Sequence, residues 1–186
     1  VRDRAEVVEH TSREVLVGLY VRDALGVVDP SGLPRVLGTG LPAVAPADDR
    51  TNWWWQRWWI DIVEYRSNPG GRIPPPSKLA EVGDRVLRRH LDDARTWADV
   101  VAEQASEARR TRSERGDLFP PLPAGARPFR LRIEVLPLTT AGIWWIGESA
   151  IAVDELLRDD LSSYVLALEP IVERRLSAPD EDGADD

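Results

Sequence analysis

Between residues 53 and 59 the chain carries five tryptophans, Trp53, Trp54, Trp55, Trp58 and Trp59, inside the stretch TNWWWQRWWIDIVEYRSNPGG. No other feature restricts the fold as much. Each aromatic side chain of this kind buries on the order of 200 Å² when enclosed. A helix bearing five indoles must therefore meet partners on more than one side. Asp48, Asp49, Arg50, Thr51 and Asn52 precede the run and supply capping side chains, and Pro69-Gly70-Gly71 ends it. The pattern predicts a helix from Trp53 to about Arg66. At about 100° per residue, Trp55, Trp58, Trp59 and Ile62 share one broad side. Arg57, Asp61 and Glu64 form a narrow polar strip opposite, flanked by Trp53 and Trp54.

Two expectations come from this wheel. Trp55, Trp58 and Trp59 are core residues, with Trp97, Trp144 and Trp145 as aromatic neighbours. Trp53 and Trp54 wall a groove whose floor carries Arg57 and Asp61, and these four are the candidate ligand-binding residues. Aromatic walls around a charged strip suit a planar, sugar-like or cationic ligand, or a peptide. Arg57 and Asp61 also lie four apart, the spacing of a surface pair along a helix. A membrane-surface role is disfavoured, since such helices carry a basic polar face and this one includes two acids.

Around this helix the pattern changes period. Residues 3 to 26 read as one helix, with Val7, Val8, Thr11, Val15, Leu16 and Leu19 to one side and Gly26 as its stop. Residues 30 to 47 hold Pro30, Pro34, Pro42 and Pro46 with three glycines, a long loop with one short extended piece at Arg35 to Leu37. Ser77 opens the longest helix, which carries an apolar stripe through Ala94, Trp97 and Val101 to about Arg112, with an irregularity at Gly83. At Phe129 the period becomes two: Leu131, Ile133 and Val135 alternate with Arg130, Arg132 and Glu134. Thr139 to Gly142 reads as a hairpin loop and residues 143 to 153 as the return strand. Asp154 caps a last helix to Leu176, kinked or broken at Pro170. The fold class is α+β: a mainly helical single domain of about four helices, residues 1 to 178, with an antiparallel β-hairpin in its C-terminal half packed on the helices. Residues 179 to 186 form a disordered acidic tail.

Composition removes several chemistries. There is no cysteine, hence no disulfide, thiolate zinc site or cysteine nucleophile. The start VRDRAEVVEH is charged, so no signal peptide is expected. With no transmembrane-length apolar run, the expected location is cytoplasmic. Removing the five acids of Asp180–Asp186 from the net charge of −8 leaves −3, a poor balance for binding a phosphate backbone. Arg109, Arg110, Arg112 and Arg115 complement the end of the long helix and are read as solvated, so no nucleic-acid partner is expected. Two distant histidines give no metal-ligand spacing, and no glycine-rich phosphate loop or Gly-x-Ser-x-Gly elbow occurs, so no metal or cofactor is expected.

His10 falls on a polar side. His90 falls in the apolar stripe, where a ring needs a hydrogen-bond partner. The sequence thus favours a non-enzymatic binding protein whose partner is another protein or a small ligand. The alternative is a small hydrolase or transferase using His90 with a carboxylate from Asp61, Glu64 or Asp93.

Overall fold

The computed structural model describes residues 6–64, 84–111 and 129–177. The expected Ser77 cap, the irregularity at Gly83 and the acidic tail lie outside the described residues.

The first element corrects the sequence reading. Glu6–His10 is a strand, β1, and the helix α1 (Arg13–Leu25) begins only after Thr11-Ser12. Two adjacent valines favour the pleated surface, and β1 gains its hydrogen bonds from a strand more than 120 residues away, which no local pattern reveals. Ser12 is the N-cap of α1. Gly26 ends the helix in the left-handed conformation at φ 68°, and a Cβ there would lie 2.2 Å from the carbonyl oxygen of Ala45. Glycine is required on both counts.

The tryptophan helix α2 spans Asp49–Glu64 and starts four residues earlier than expected. The cap in use is Asp48, whose Oδ1 accepts from the Thr51 amide at 2.7 Å. The long helix α3 spans Asp84–Thr111. Its buried residues Leu91, Ala94 and Ala98 repeat in steps of three and four, as an amphipathic helix requires.

The sheet contains β1, β2 (Arg130–Leu136), β3 (Ile143–Gly147) and β4 (Ala150–Asp154) in the order β1-β2-β4-β3. β2 runs parallel to both β1 and β4, and only β3 and β4 are antiparallel. The expected hairpin of residues 129–136 with 143–152 is therefore corrected in its pairing. The segment 143–153 folds back on itself at Glu148-Ser149 and makes its own hairpin. All five residues of β4 are buried, and a strand covered on both faces belongs in a sheet interior, between β2 and β3.

Successive residues of β2 and β4 point to opposite layers. Leu131, Ile133, Val135, Ile151 and Val153 pack with Tyr164, Leu168 and Val172 of the last helix, α5 (Leu161–Ser177). Leu136, Ala150 and Ala152 join the larger core formed with α1, α2 and α3. The α+β class holds, as a mixed four-stranded sheet between two helical layers.

The final helical segment is also divided differently. Asp154 caps a short helix α4 (Glu155–Asp159), accepting from the Leu156 amide at 2.9 Å. The break falls at Asp160, and α5 continues through Pro170. Asp160 restarts the helix by accepting from the Ser163 amide and hydroxyl at 3.2 and 2.7 Å. Those two bonds supply a cap, which is why the break falls here instead of at the proline.

Candidate functional site

The four residues singled out from the sequence lie on the outward side of α2. Trp55, Trp58, Trp59, Ile62 and Val63 are buried, while Trp53 is 55% exposed and Ile60 53%. Trp54 is half-buried and meets Trp53 edge to face, with ring centroids 4.3 Å apart. Arg57 and Asp61 are exposed one and two turns on, and no ion pair joins them to each other.

The start of α2 is fixed from both directions. The Asp48 carboxyl is held below its ordinary value of 3.8, first by the Thr51 amide and then by the Thr51 hydroxyl. The Asn52 side chain accepts from the Val28 amide at 3.0 Å and donates to the Ala47 carbonyl at 3.1 Å. It thereby ties both ends of the long loop to the helix. The middle of that loop is gathered by buried Arg22, which donates to Asp23 at 2.8 Å, Leu33 O at 2.9 Å and Pro34 O at 2.6 Å. The expected extended piece is present, as Val36 bridges to Leu138.

A second polar assembly, absent from the sequence reading, lies at the carboxyl ends of the parallel strands. Glu9 comes from the end of β1, Thr11 from just beyond it, Val135 from the end of β2, and Glu155 and Arg158 from the helix after β4. Ala105, Ala108 and Arg109 of α3 complete the wall of a cavity of about 30 Å³. Arg158 grips Glu9 with both arms of its guanidinium, Nε to Oε1 at 2.7 Å and Nη2 to Oε2 at 3.1 Å. The Tyr164 hydroxyl also donates to Glu9, and its ring lies 4.7 Å beneath the same guanidinium. Such a fork-on-carboxylate arrangement is rigid. Arg109 Nη1 donates to the Thr11 hydroxyl at 2.8 Å, and that hydroxyl donates to Val135 O at 3.1 Å. The sequence placed Arg109 among solvated arginines at a helix end. It is exposed, but its tip reaches across to Thr11, just beyond β1. Only the long-range β1–β2 pairing reveals this, because residues 6–10 read locally as part of a helix.

On the opposite side of the same strands, Glu134 is fully buried and accepts from Ser12 through N at 2.9 Å and Oγ at 2.6 Å. Arg132 Nε is 3.3 Å from Glu134 Oε1, close enough for charge attraction but outside hydrogen-bond alignment. Its Nη2 donates to Val63 O at 2.6 Å.

His90 is half-buried, and its Nδ1 is enclosed without a hydrogen-bond partner among the described residues. It is not part of the strand-end cavity wall. Among the described residues no group of three or more histidine and acidic side chains stands together to hold a metal ion, and no helix is long and apolar enough to cross a membrane. The chain matches no protein-family model, no curated protein and no solved structure.

Proposed function

We propose that this chain is a non-enzymatic cytoplasmic binding protein and that Trp53, Trp54, Arg57 and Asp61 form its recognition surface. The observation carrying this reading is the 55% exposure of Trp53 on a helix whose other tryptophans are enclosed or half-enclosed. An exposed indole beside an exposed guanidinium matches the composition of interaction hot spots, which are enriched in tryptophan and arginine. Ile60 extends the apolar ridge, while Arg57 presents a directional fork for a carboxylate. The partner that fits is a segment of another protein offering one apolar side chain and one acid. The cytoplasmic assignment rests on the absence of cysteine.

The test compares immobilised parent protein with Arg57→Ala and Trp53→Ala as baits in a cell extract. A polypeptide retained by the parent and lost from both variants, with circular dichroism unchanged, is the expected result. Retention of the same polypeptides by all three baits would overturn the assignment of this surface.

A further inference from the structure

We infer that the strand-end cavity is a second binding site, separate from the α2 surface, and that it takes the carboxylate group of a small organic acid. Its position is the first argument. In sheets with parallel strands, ligands bind outside the carboxyl ends, where successive connections depart to opposite faces. Here the two parallel neighbours of β2 send the chain to opposite faces: it leaves β1 toward α1 on one face and leaves β4 through α4 toward α5 on the other. The space left between these departures is the cavity, and alanines at 105 and 108 keep α3 from filling it.

Charge is the second argument. Glu9 is matched by Arg158 and Tyr164, so that pair builds the wall without calling for a ligand. Glu155 is engaged in an interaction of its own. Arg109 differs: a guanidinium has five N–H donors, and one bond, to Thr11, is made among the described residues. An arginine at the mouth of a cavity with a largely apolar wall, with donors unspent and its tip already anchored on the rim at Thr11, selects an anion. The cavity admits about two water-sized groups at its roughly 30 Å³, which suits the two oxygens of a carboxylate with the remainder of the acid projecting outward. Planar two-point contact with a guanidinium favours the same group. Glu155 on the wall opposes any anion, which keeps the expected affinity weak and the exchange fast.

The experiment is an amide chemical-shift titration of the full chain with acetate at constant ionic strength, with chloride as the matched control. The expected result is saturable shifts at Thr11 and Val135 with acetate and none with chloride. In Arg109→Ala the dissociation constant should rise about tenfold or more, the size of effect given by losing a charged hydrogen bond. Ala105→Leu, which fills the space but keeps Arg109, should abolish the saturable shifts, whereas Arg57→Ala should leave them unchanged. Shifts that are linear in acetate, or equal in the parent and Arg109→Ala, overturn the site. Unchanged binding in a folded Ala105→Leu shows a surface contact of Arg109 alone and overturns the cavity. Tighter saturable binding of inorganic phosphate at the same residues overturns the carboxylate assignment.

Discussion

The indole Nε1–H of Trp55 donates to the carbonyl oxygen of Gly18 at 2.9 Å, joining the middle of α2 to the middle of α1. Gly18 is open enough for this approach because it lacks a side chain. A Cβ there would lie 3.1 Å from Ile62 Cδ1 and 3.2 Å from the Trp59 ring, tighter than ordinary packing. Trp59 in turn stacks on Trp55 with centroids 5.2 Å apart and an interplanar angle of 14°. A buried indole N–H needs an acceptor, and here the acceptor is reached only if the two helices pack backbone to ring. The density of tryptophan is thus a packing device on one side of α2, which separates it from the exposed Trp53.

That separation can be measured by stability alone. Trp58 is 2% exposed, so Trp58→Ala should destabilise the fold by ~3–5 kcal/mol, as large aromatic deletions in cores do. Trp53→Ala should cost much less, ~0.5–1.5 kcal/mol, the worth of its edge-to-face contact with Trp54. Urea denaturation of the two variants decides it. Equal losses would mean that Trp53 is a packing residue after all.

Glu134 tests how the sheet is joined to the start of α1. Its carboxylate receives both Ser12 donors and faces Arg132 with no exposure of its own. Glu134→Ala should cost ~3–5 kcal/mol, because it leaves Arg132 without its opposite charge and orphans the Ser12 amide. Glu134→Gln keeps one carbonyl acceptor and should cost less, ~1–3 kcal/mol. Chemical denaturation reads both values, and a silent Glu134→Ala would show that the Ser12 and Arg132 contacts contribute no stability.

Acid stability should register the two helix caps. Asp48 and Asp160 both have carboxyls held below 3.8, the first chiefly by the Thr51 amide and the second chiefly by the Ser163 hydroxyl. A depressed folded-state value means the stabilisation is complete above pH 3.8 and is lost as pH falls through the folded value. Asp48→Ala should therefore melt below the parent at neutral pH, with the gap narrowing steadily in acid below that value. Thermal melts across the acid range check this. A gap of constant size would mean that the charge on Asp48 plays no part in capping α2.

The buried side of α2, the short extended piece around Val36 and the cap at Gly26 were all legible, because each depends on local spacing or on a residue type with one conformational use, whereas the partner Leu138 of that extended piece was not. The sheet was not. Glu6–His10 contains too few residues to show a period, and its partner Arg130–Leu136 is distant in the chain. In β2 the polar residues Arg132 and Glu134 alternate with apolar ones and so suggested an exposed face, yet they are held inward by each other, Ser12 and Val63. The strand-end cavity was hidden for the same reason. Its polar side chains come from the ends of β1, α3 and α4, and only the parallel pairing brings them together.

The last test concerns the turn that makes β3 and β4 a hairpin. Gly147 sits at the bulge of that hairpin, directly against the end of α2. A Cβ there would lie 2.5 Å from Val63 Cγ1 and 2.6 Å from Glu64 Oε1. Glu64 can rotate away, at the expense of its bond to the Glu148 amide at 3.1 Å. Val63 cannot, because it is buried and its branched side chain has few rotamers. Gly147→Ala should accordingly cost ~1–3 kcal/mol by overpacking. Val63→Ala alone should also destabilise, by opening a void. Combined, the alanine at 147 occupies space vacated at 63, so the double variant should be more stable than the sum of the single losses predicts, by ~0.5 kcal/mol or more. A double-mutant cycle in urea measures that coupling. Strict additivity would show that β3 can move off α2 at no cost, and that the close contact between Gly147 and Val63 does not hold the hairpin in place.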